Sequence, residues 1–523
     1  MNKYFLAIVV WGVFLPSCMT VGKDYVKPYT VTPEGYSMKG EMVGENAPSD
    51  PWTLAVLADN EDPIGGSAMW WEQFGDDTLT KLILRARKAN HNIYIARKRI
   101  SENWHQRGVI ASYLYPEVKF QGRDEYGIAE YDTDKVDVEI SRTYYENHQM
   151  IYGWELDVFG KIKRQVESLE AGYDAKIEGW RDAMAFISGE VAISYIAYRT
   201  LERRLEVADL SKEIFFEIKD RMEKRRALGV ASDMELAEAT ARFKTSAALV
   251  PQLEQERLVV RNRIAFLTGG DVLKVQALLD KGSGVPTPPK KIMTGVPADL
   301  LRSRPDVRRA ERNMASRTAL VNVAIGNLYP TFTISGILKY EHLLGSSVDD
   351  VLDRVVTIGS TTRWRLLNGN SDSHRIMEQE AFLDQAVGEY RRVVAQAVVD
   401  VEDAMARLHY TKKRLGLLSD AREAHFKTGE LMNDAYDAGE VELRRLLNAQ
   451  LDYIQTLDEE TATEGRWAAH SVRLFRALGG GELSGVPQQY KHYKSTGRRG
   501  FWSFLPWGRE KDQAIQPDRI MRP

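Results

Sequence analysis

The sequence of 523 residues predicts a mainly α-helical, internally duplicated chain with very long helices and four strands that each carry one apolar and one polar face. Three observations predict it. Proline is absent from two long stretches, the two halves share one order of motifs, and apolar and polar residues alternate behind each tripeptide LYP. Four such strands cannot close a membrane barrel alone, so a barrel built from them needs several copies of the chain.

The N-terminal segment has the features of a bacterial lipoprotein signal. Lys3 supplies a positive charge, residues 4–15 are apolar, and Ser17 precedes Cys18, the single cysteine of the chain. The apolar run is shorter than the roughly 20 residues of a spanning helix. The four residues LPSC resemble a lipobox, so we predict a signal peptide at 1–17 and a lipid on Cys18. The alternative is an ordinary signal peptide with a chance cysteine at its end.

Composition and motifs argue against several functions. The net charge of -3 arises from 71 basic and 74 acidic residues spread along the chain, which gives no field that attracts nucleic acid. The histidines are scattered, and no HExxH or phosphate-loop motif occurs. We therefore predict that the chain is not an enzyme. Glu155 and Asp157, in a strand-like run, are predicted to line a water-filled lumen rather than to form an acid/base pair.

Proline spacing predicts the long helices. After Pro116 the next proline is Pro251, and after Pro330 the next is Pro487. Proline in a helix interior costs about 3 kcal/mol, so these gaps indicate helices far longer than usual. Residues 161–228 would form one helix roughly 100 Å long, at about 1.5 Å per residue.

The halves match along their length. LYPEVKFQG at 114–122 resembles LYPTFTISG at 328–336, and the turn around Gly229 falls opposite the one around Gly439. Each half runs helix, LYP, strands, long helix, glycine turn and returning helix, which indicates a duplicated ancestral unit.

A helix is predicted before each LYP. The stretch SRPD at 303–306 is typical of a capping box with proline in the first turn, and it would open a helix that runs to about Asn327. The counterpart would begin near Asp76 and Asp77 and run to about Ser112.

Alternation of period two predicts one β-hairpin in each half. Residues 124–134 and 342–353 would be the loops. Two soluble hairpins packed on helices are one interpretation; in a lipidated protein the same strands fit a barrel with lipid outside and water inside. The predicted runs are 118–121, 136–141, 331–335 and, more weakly, 355–366.

Six longer stretches together resemble the TolC-like outer-membrane factors, in particular the lipoprotein branch that serves tripartite efflux pumps of the resistance-nodulation-division type. They follow the family's order over nearly the whole mature chain. Lipoproteins of this kind that stay in the inner membrane carry an aspartate after the lipidated cysteine. Met19 stands at that position here, so the resemblance implies the outer membrane. The stretches are CMTVGKDYVKP at 18–28, WWEQFGDDTLTKLI at 70–83, YGWELDVFGKIKRQVES at 152–168, LLRSRPDVRRAE at 300–311, AIGNLYPTFTISG at 324–336 and AGEVELRRLLNAQ at 438–450.

The resemblance implies a homotrimer whose protomers share a 12-stranded barrel in outer-membrane lipid and a helical tunnel across the periplasm. An inner-membrane transporter would supply energy, a periplasmic adaptor would clasp the tunnel tip, and the channel itself would use no cofactor. The predicted organisation is a signal peptide at 1–17, a lipidated belt segment at 18–75, a first repeat at 76–268, an equatorial linker at 269–297, a second repeat at 298–478 and an equatorial or flexible tail at 479–523.

The turns at the ends of the long hairpins are the expected functional sites, because glycine permits a sharp reversal there. Both glycines could merely cap helices, and charges near them could simply be solvated. The residues predicted for adaptor docking are Gly229, Ser232, Gly439 and Glu440, and those predicted for a periplasmic constriction are Asp434, Tyr436 and Asp437.

Three functions remain open at this point. The first is an export duct for small molecules, the second a duct for protein secretion, and the third a lipid-anchored periplasmic scaffold that conducts nothing. The alternating strands favour a duct. The transported substrate cannot be inferred, since the pump selects it in systems of this kind.

Overall fold

The computed structural model describes residues 20–26, 69–131, 139–282, 284–289, 304–345 and 348–480. The predicted signal peptide with Cys18, most of the belt segment 18–75 and nearly all of the tail 479–523 lie outside the described residues, as does part of the linker 269–297.

The described chain alternates helices with two pairs of strands. None of the described helices combines the length and the apolar composition that a membrane-spanning helix needs. A short 3-10 helix, Trp70–Phe74, comes first, followed by α1 (Asp77–Ala89), α2 (His91–Ser112), β1 (Glu117–Tyr131), β2 (Glu139–Leu156), α3 (Lys161–Ala227), α4 (Asp233–Leu267), α5 (Val272–Leu279), α6 (Pro305–Gly326), β3 (Thr331–Gly345), β4 (Val348–Arg363), α7 (Ser371–Asp437) and α8 (Leu443–Ala477).

The two helical hairpins have equal lengths. Helices α3 and α7 each have 67 residues, and the returning helices α4 and α8 each have 35. Both members of the second hairpin follow their counterparts by 210 residues (371 − 161 and 443 − 233). The predicted duplication and the very long helix from Lys161 are confirmed, and that helix ends at Ala227.

The four strands form one antiparallel sheet in the order β1-β2-β3-β4, so the two hairpins pair through β2 and β3. The pairing register shows which side chains share a face of the sheet. One row across all four strands consists of Phe120, Met150, Leu338 and Val356, whereas a row on the opposite face consists of Arg123, Asn147, Glu341 and Asp353. The predicted alternation is therefore confirmed as an apolar and a polar sheet face.

The strands are longer than predicted, and the loops proposed at 124–134 and 342–353 are wrong. Strand β1 continues to Tyr131, and β3 and β4 approach each other to Gly345 and Val348. Charged residues interrupt the apolar face there, and they find partners across the sheet: His148 Nε2 lies 3.2 Å from Asp124 Oδ1.

Asn90 divides the helix that was predicted to run from Asp76 to Ser112. Its side-chain oxygen accepts hydrogen bonds from the backbone N–H groups of Asn92 (2.8 Å) and Ile93 (3.2 Å), and thereby caps α2. Its Nδ2 donates to the carbonyl oxygen of Leu267 at 2.9 Å. A contact with the end of α4 thus fixes the break, and the single predicted helix is wrong.

Helix α6 begins at Pro305, which confirms proline in the first turn, but the predicted capping box is wrong. The N-cap residue is Arg304, and no side chain caps the helix. The Asp306 carboxylate instead accepts from Arg304 Nη2 at 2.8 Å. Arg304 Nη1 also donates to the carbonyl oxygen of Ala477 at 3.0 Å, which joins the start of α6 to the end of α8.

The long helices pack side by side as a wall in the order α4, α3, α8, α7. Leu201 of α3 packs with Leu253 of α4, and Met405 of α7 packs with Leu474 of α8. Among the described elements, this order leaves α4 and α7 at the two edges of the wall.

Short elements cover one face of this wall, which we call the covered face. The ring of Trp70 stacks on Phe475 of α8 with centroids 5.4 Å apart. Tyr195 of α3 donates its hydroxyl to Asp76 Oδ2 at 2.7 Å, just before α1. Burial, together with that carboxylate, raises the pKa of Tyr195.

Arg199 ties α5 to the covered face. Its side chain is 1% exposed, and it donates to the Tyr195 hydroxyl (3.1 Å), to Glu202 Oε2 (2.5 Å) and to the carbonyl oxygen of Leu279 (2.6 Å). A buried guanidinium with all these partners is stabilising only as a complete set, because each group alone is costly to bury.

We expect Arg199→Leu to lower the free energy of unfolding by about 3 kcal/mol, since it leaves Glu202 and the Leu279 carbonyl without their donor. Urea unfolding of the purified protein measures this. The matched control is Arg203→Leu, at a side chain that is 61% exposed; it should change stability by less than about 0.5 kcal/mol. Equal losses in both variants would contradict the assignment.

Candidate functional site

The two turns that end the helical hairpins have the same backbone geometry. Gly229 and Gly439 both adopt left-handed conformations, with φ of 73° and 78°. The N–H of Gly229 donates to the carbonyl oxygen of Arg226 at 2.9 Å, and the N–H of Gly439 donates to the carbonyl oxygen of Tyr436 at 3.0 Å. The next N–H in each turn reaches back one residue further, to Arg225 and to Ala435, as in a Schellman motif. Both glycines therefore end helices, and both also form the hairpin tips.

The turns differ in how the returning helix begins. Ser232 accepts from the Glu235 N–H at 3.2 Å while Glu235 accepts from the Ser232 N–H at 2.8 Å, a complete capping box. The hydrogen bonds that the Ser232 N–H and hydroxyl donate to the Glu235 carboxylate lower the pKa of Glu235. At the other tip Glu442 takes the N-cap position, no side chain caps α8, and Glu440 is exposed.

An apolar cluster, which we call the tip cluster, holds the two tips together. All four long helices contribute to it, so each turn has a defined position relative to the other. The cluster consists of Phe215, Ile218, Met222, Ala239, Tyr436, Leu443, Leu446 and Leu447.

Tyr436 belongs to this cluster. It is 5% exposed, its hydroxyl lies 3.4 Å from Met222 Sδ, and the Arg225 guanidinium lies 5.1 Å from its ring centroid. Burial raises the pKa of Tyr436. The structure thus separates Tyr436 from Asp434, which is exposed.

Asp437 forms an ion pair across the two hairpins. Arg221 of α3 donates from Nη1 to Asp437 Oδ1 at 3.0 Å and to Asn433 Oδ1 at 3.2 Å. The three residues predicted for the constriction therefore have different surroundings: Tyr436 is buried, Asp437 is paired and Asp434 faces solvent.

The first tip also exposes apolar side chains that were not predicted from the sequence. Leu228, Val230 and Met234 are 79%, 64% and 69% exposed around Gly229. The signal was present in the sequence as LGVASDM, where apolar residues flank a turn glycine. Three such side chains at a hairpin end form a surface suited to a protein contact.

The two acidic residues near the start of α3 are structural. Asp157 follows β2 and accepts from the N–H groups of Ile162 and Lys163, both at 2.9 Å, so it caps the first turn of α3. Glu155 forms an ion pair with Lys161 at 3.0 Å. Both carboxylates thus have local partners, and the lumen-lining position of Glu155 and Asp157 stays a prediction, because a lumen would form only in an assembly.

The sequence pattern of the family described as "Outer membrane efflux protein" matches residues 82–270 and 296–480. The chain belongs to this family. An outer membrane efflux protein carries out export at the outer membrane, which gives the chain its function and its location.

Relatives of known name and structure agree with this assignment. The chain is 26% identical to "Nodulation protein T" of Rhizobium leguminosarum bv. viciae over 92% of this chain and 94% of that protein. It is 24% identical to "Pyoverdine export outer membrane protein OpmQ" of Pseudomonas putida over 80% of this chain and 89% of that protein. The outer-membrane channel OprN superposes with a TM-score of 0.75 at 26% identity and covers 89% of this chain and 100% of its own.

The fold is that of the family's channels. The Campylobacter jejuni CmeC outer membrane channel superposes with a TM-score of 0.73 at 17% identity, over 91% of this chain and 98% of that chain. Together with the OprN match, this confirms the mainly helical fold with four strands for this outer membrane efflux protein.

We expect Gly229→Ala and Gly439→Ala each to destabilise its tip by about 1–2 kcal/mol, because a Cβ disfavours the left-handed conformation. Hydrogen exchange at the tip amides would report the loss. Gly416→Ala is the matched control: Gly416 lies inside α7, a Cβ there meets open space, and a helical alanine gains up to about 1 kcal/mol. Faster exchange in all three variants would show that the turn geometry is not the cause.

Proposed function

We propose that the chain is the passive, trimeric exit duct of a tripartite efflux pump, which releases small molecules that an inner-membrane transporter delivers through a periplasmic adaptor. The observation that carries the proposal is the open sheet. Strands β1 and β4 lie at its two ends, and within the described residues neither pairs on its outer side. Unpaired edges cost several kcal/mol per backbone group in hydrocarbon, so a sheet in lipid must be closed by further copies.

The two sheet faces fit a shared barrel. The row Phe120, Met150, Leu338 and Val356 would face lipid, and the row that begins with Arg123 would face water. Phe120 and Val356 are 69% and 70% exposed in the single chain, so the protomer alone leaves this apolar face uncovered. Three copies would supply 12 strands.

The edges of the helical wall fit the same assembly. Val259 and Phe266 of α4 are 61% and 67% exposed, and Val399 and Leu417 of α7 are 52% and 64% exposed. A trimer would place α4 of one protomer beside α7 of the next. Both apolar edges would then be buried, which favours a closed tunnel.

The lipid anchor is proposed on Cys18, and the contacts of the residues that follow it in the chain support this position. Val21 donates its N–H to the carbonyl oxygen of Phe159 at 3.1 Å, and Arg164 Nη2 lies 2.9 Å from Asp24 Oδ1. The segment 20–26 is therefore attached where β2 passes into α3. An acyl chain on Cys18, two residues before this segment, would start near the end of the proposed barrel where its strands pass into the helices.

The hairpin tips are the proposed adaptor contact and periplasmic constriction. Gly229, Ser232, Gly439 and Glu440 lie at the free ends of the hairpins, beside the exposed apolar side chains of the first turn. Exposed Asp434 would contribute negative charge to the entrance in each of three protomers. Paired Asp437 would instead hold the two hairpins together through Arg221.

Single-channel recording in planar bilayers, with the mass in detergent measured alongside, tests the duct. We expect a trimer with discrete, cation-preferring openings. Asp434→Asn should reduce the cation preference, because it removes an uncompensated charge. Asp437→Asn should lengthen the openings, because it breaks the ion pair with Arg221 that joins the two hairpins. It should change the cation preference less than Asp434→Asn, because Arg221 already compensates the charge of Asp437. A monomer that never conducts would leave only the scaffold function.

Cys18→Ser tests the anchor. Intact mass spectrometry of the membrane-extracted wild type should give a mature chain that begins at residue 18 and carries acyl chains, and the variant should lack them. Several acyl chains anchor a protein firmly, since each buried methylene contributes about 0.8 kcal/mol. An unacylated wild-type chain would overturn the proposal.

A further inference from the structure

An excess of arginine side chains occurs in the helical wall where the last turns of α4 and α8 lie beside the middle of the longer helices. The guanidiniums come from α4, α7 and α8, and shared carboxylates link four of them in pairs across helices. We call this set the arginine belt; its members are Arg263, Arg407, Arg414, Arg466, Arg473 and Arg476.

The belt lies on the face of the wall opposite the covered face. Successive helix residues turn by about 100°, so Arg473 points about 200° away from Phe475, which packs against Trp70. On the neighbouring α3, Phe186 is 50% exposed and lies under the Arg476 guanidinium at 5.4 Å. In a closed tunnel the short elements of the covered face have room only outside. The belt would then line the interior.

Carboxylates neutralise only part of the belt. Glu190 lies 2.6 Å from Arg263 and 3.2 Å from Arg476, so one carboxylate serves two guanidiniums. Glu459 likewise serves two, Arg414 at 2.8 Å and Arg466 at 2.5 Å.

The remaining two arginines have weaker partners. Arg407 lies 3.6 Å from Asp403. Arg473 makes no ion pair with any residue in the described part of the chain, and its Nη1 lies 3.0 Å from His470 Nδ1. Three carboxylates thus stand against six guanidiniums, and the belt carries an excess of positive charge.

Titration behaviour agrees with this excess. Burial and the charges of Arg473, Arg407 and Arg466 lower the pKa of His470 to about 4, so its imidazole is neutral at neutral pH. Burial and the charges of Arg407 and Arg476, against the opposing effect of Glu190, lower the pKa of Arg473. The protonated guanidinium is therefore less favourable here than in water, and a bound anion would relieve this.

We infer that the arginine belt is an anion-binding station on the inner wall of the duct, which takes small molecules that carry carboxylate, phosphate or sulfate groups as they leave. Guanidinium binds such oxyanions with two parallel hydrogen bonds. The inference rests on the proposed function, because only a closed tunnel turns this face into a lumen. The wall itself would then favour one chemical class of cargo, whichever molecule the pump delivers.

Tripolyphosphate is the probe, and isothermal titration of the full-length protein in zwitterionic detergent at low ionic strength is the measurement. We expect Arg407→Gln with Arg473→Gln to weaken binding about tenfold or more, since each charge-assisted contact contributes about 1.5–3 kcal/mol. The matched control Arg203→Gln removes an exposed arginine outside the belt and should bind like the wild type. Glu459→Gln should tighten binding, because it frees Arg414 and Arg466.

Binding that is absent in the wild type, or equal in the wild type and the belt variant, would overturn the inference. Arg407→Lys with Arg473→Lys keeps the charges and should retain most of the affinity; a loss as large as in the glutamine variant would indicate misfolding, which the detergent mass would reveal. Bilayer conductance separates the two proposals. A conducting trimer that binds tripolyphosphate equally well with and without the belt arginines would refute the anion station alone. A protein that binds through the belt but never conducts would refute the duct.

Discussion

The side-by-side packing of two helical hairpins of equal length is the constraint on which the rest of the structure depends. Because α3 matches α7 and α4 matches α8 in length, both turns reach the same level, and the tip cluster can form between them. The same match brings β2 against β3 at the other end. The adjacent hairpin tips and the sheet therefore follow from one duplicated unit.

Charge is distributed differently on the two faces of the wall. On the covered face, Arg199 is buried with complete partners and fixes the short elements to α3. On the opposite face, Arg473 has a neutral imidazole as its neighbour and forms no ion pair with the described residues. The first arrangement stabilises the fold. The second contributes repulsion within the fold, and a ligand of opposite charge can offset it.

The sequence predicts the parts of the fold that depend on local chemistry. The absence of proline predicts the long helices, and the turn glycines predict the tips. Features that involve distant partners were missed: Asn90 breaks a helix where its side chain donates a hydrogen bond to Leu267, and β1 continues past Asp124, whose carboxylate lies 3.2 Å from His148 of β2. At the site, spacing alone could not show that Tyr436 packs inside the tip cluster while Asp434, two residues away, stays exposed.

A duct must attract its cargo without retaining it. Under the proposed trimer, a solute would pass the negative charge of Asp434 at the tip and then the positive arginine belt, before the mixed polar row that contains Arg123 and Glu341. Alternating signs along the path keep any single charged solute from being bound strongly throughout, and conduction requires sites of moderate affinity in series. Half-neutralised guanidiniums would supply such moderate sites under this proposal, since Glu190 and Glu459 would compete with the passing anion for the same donors.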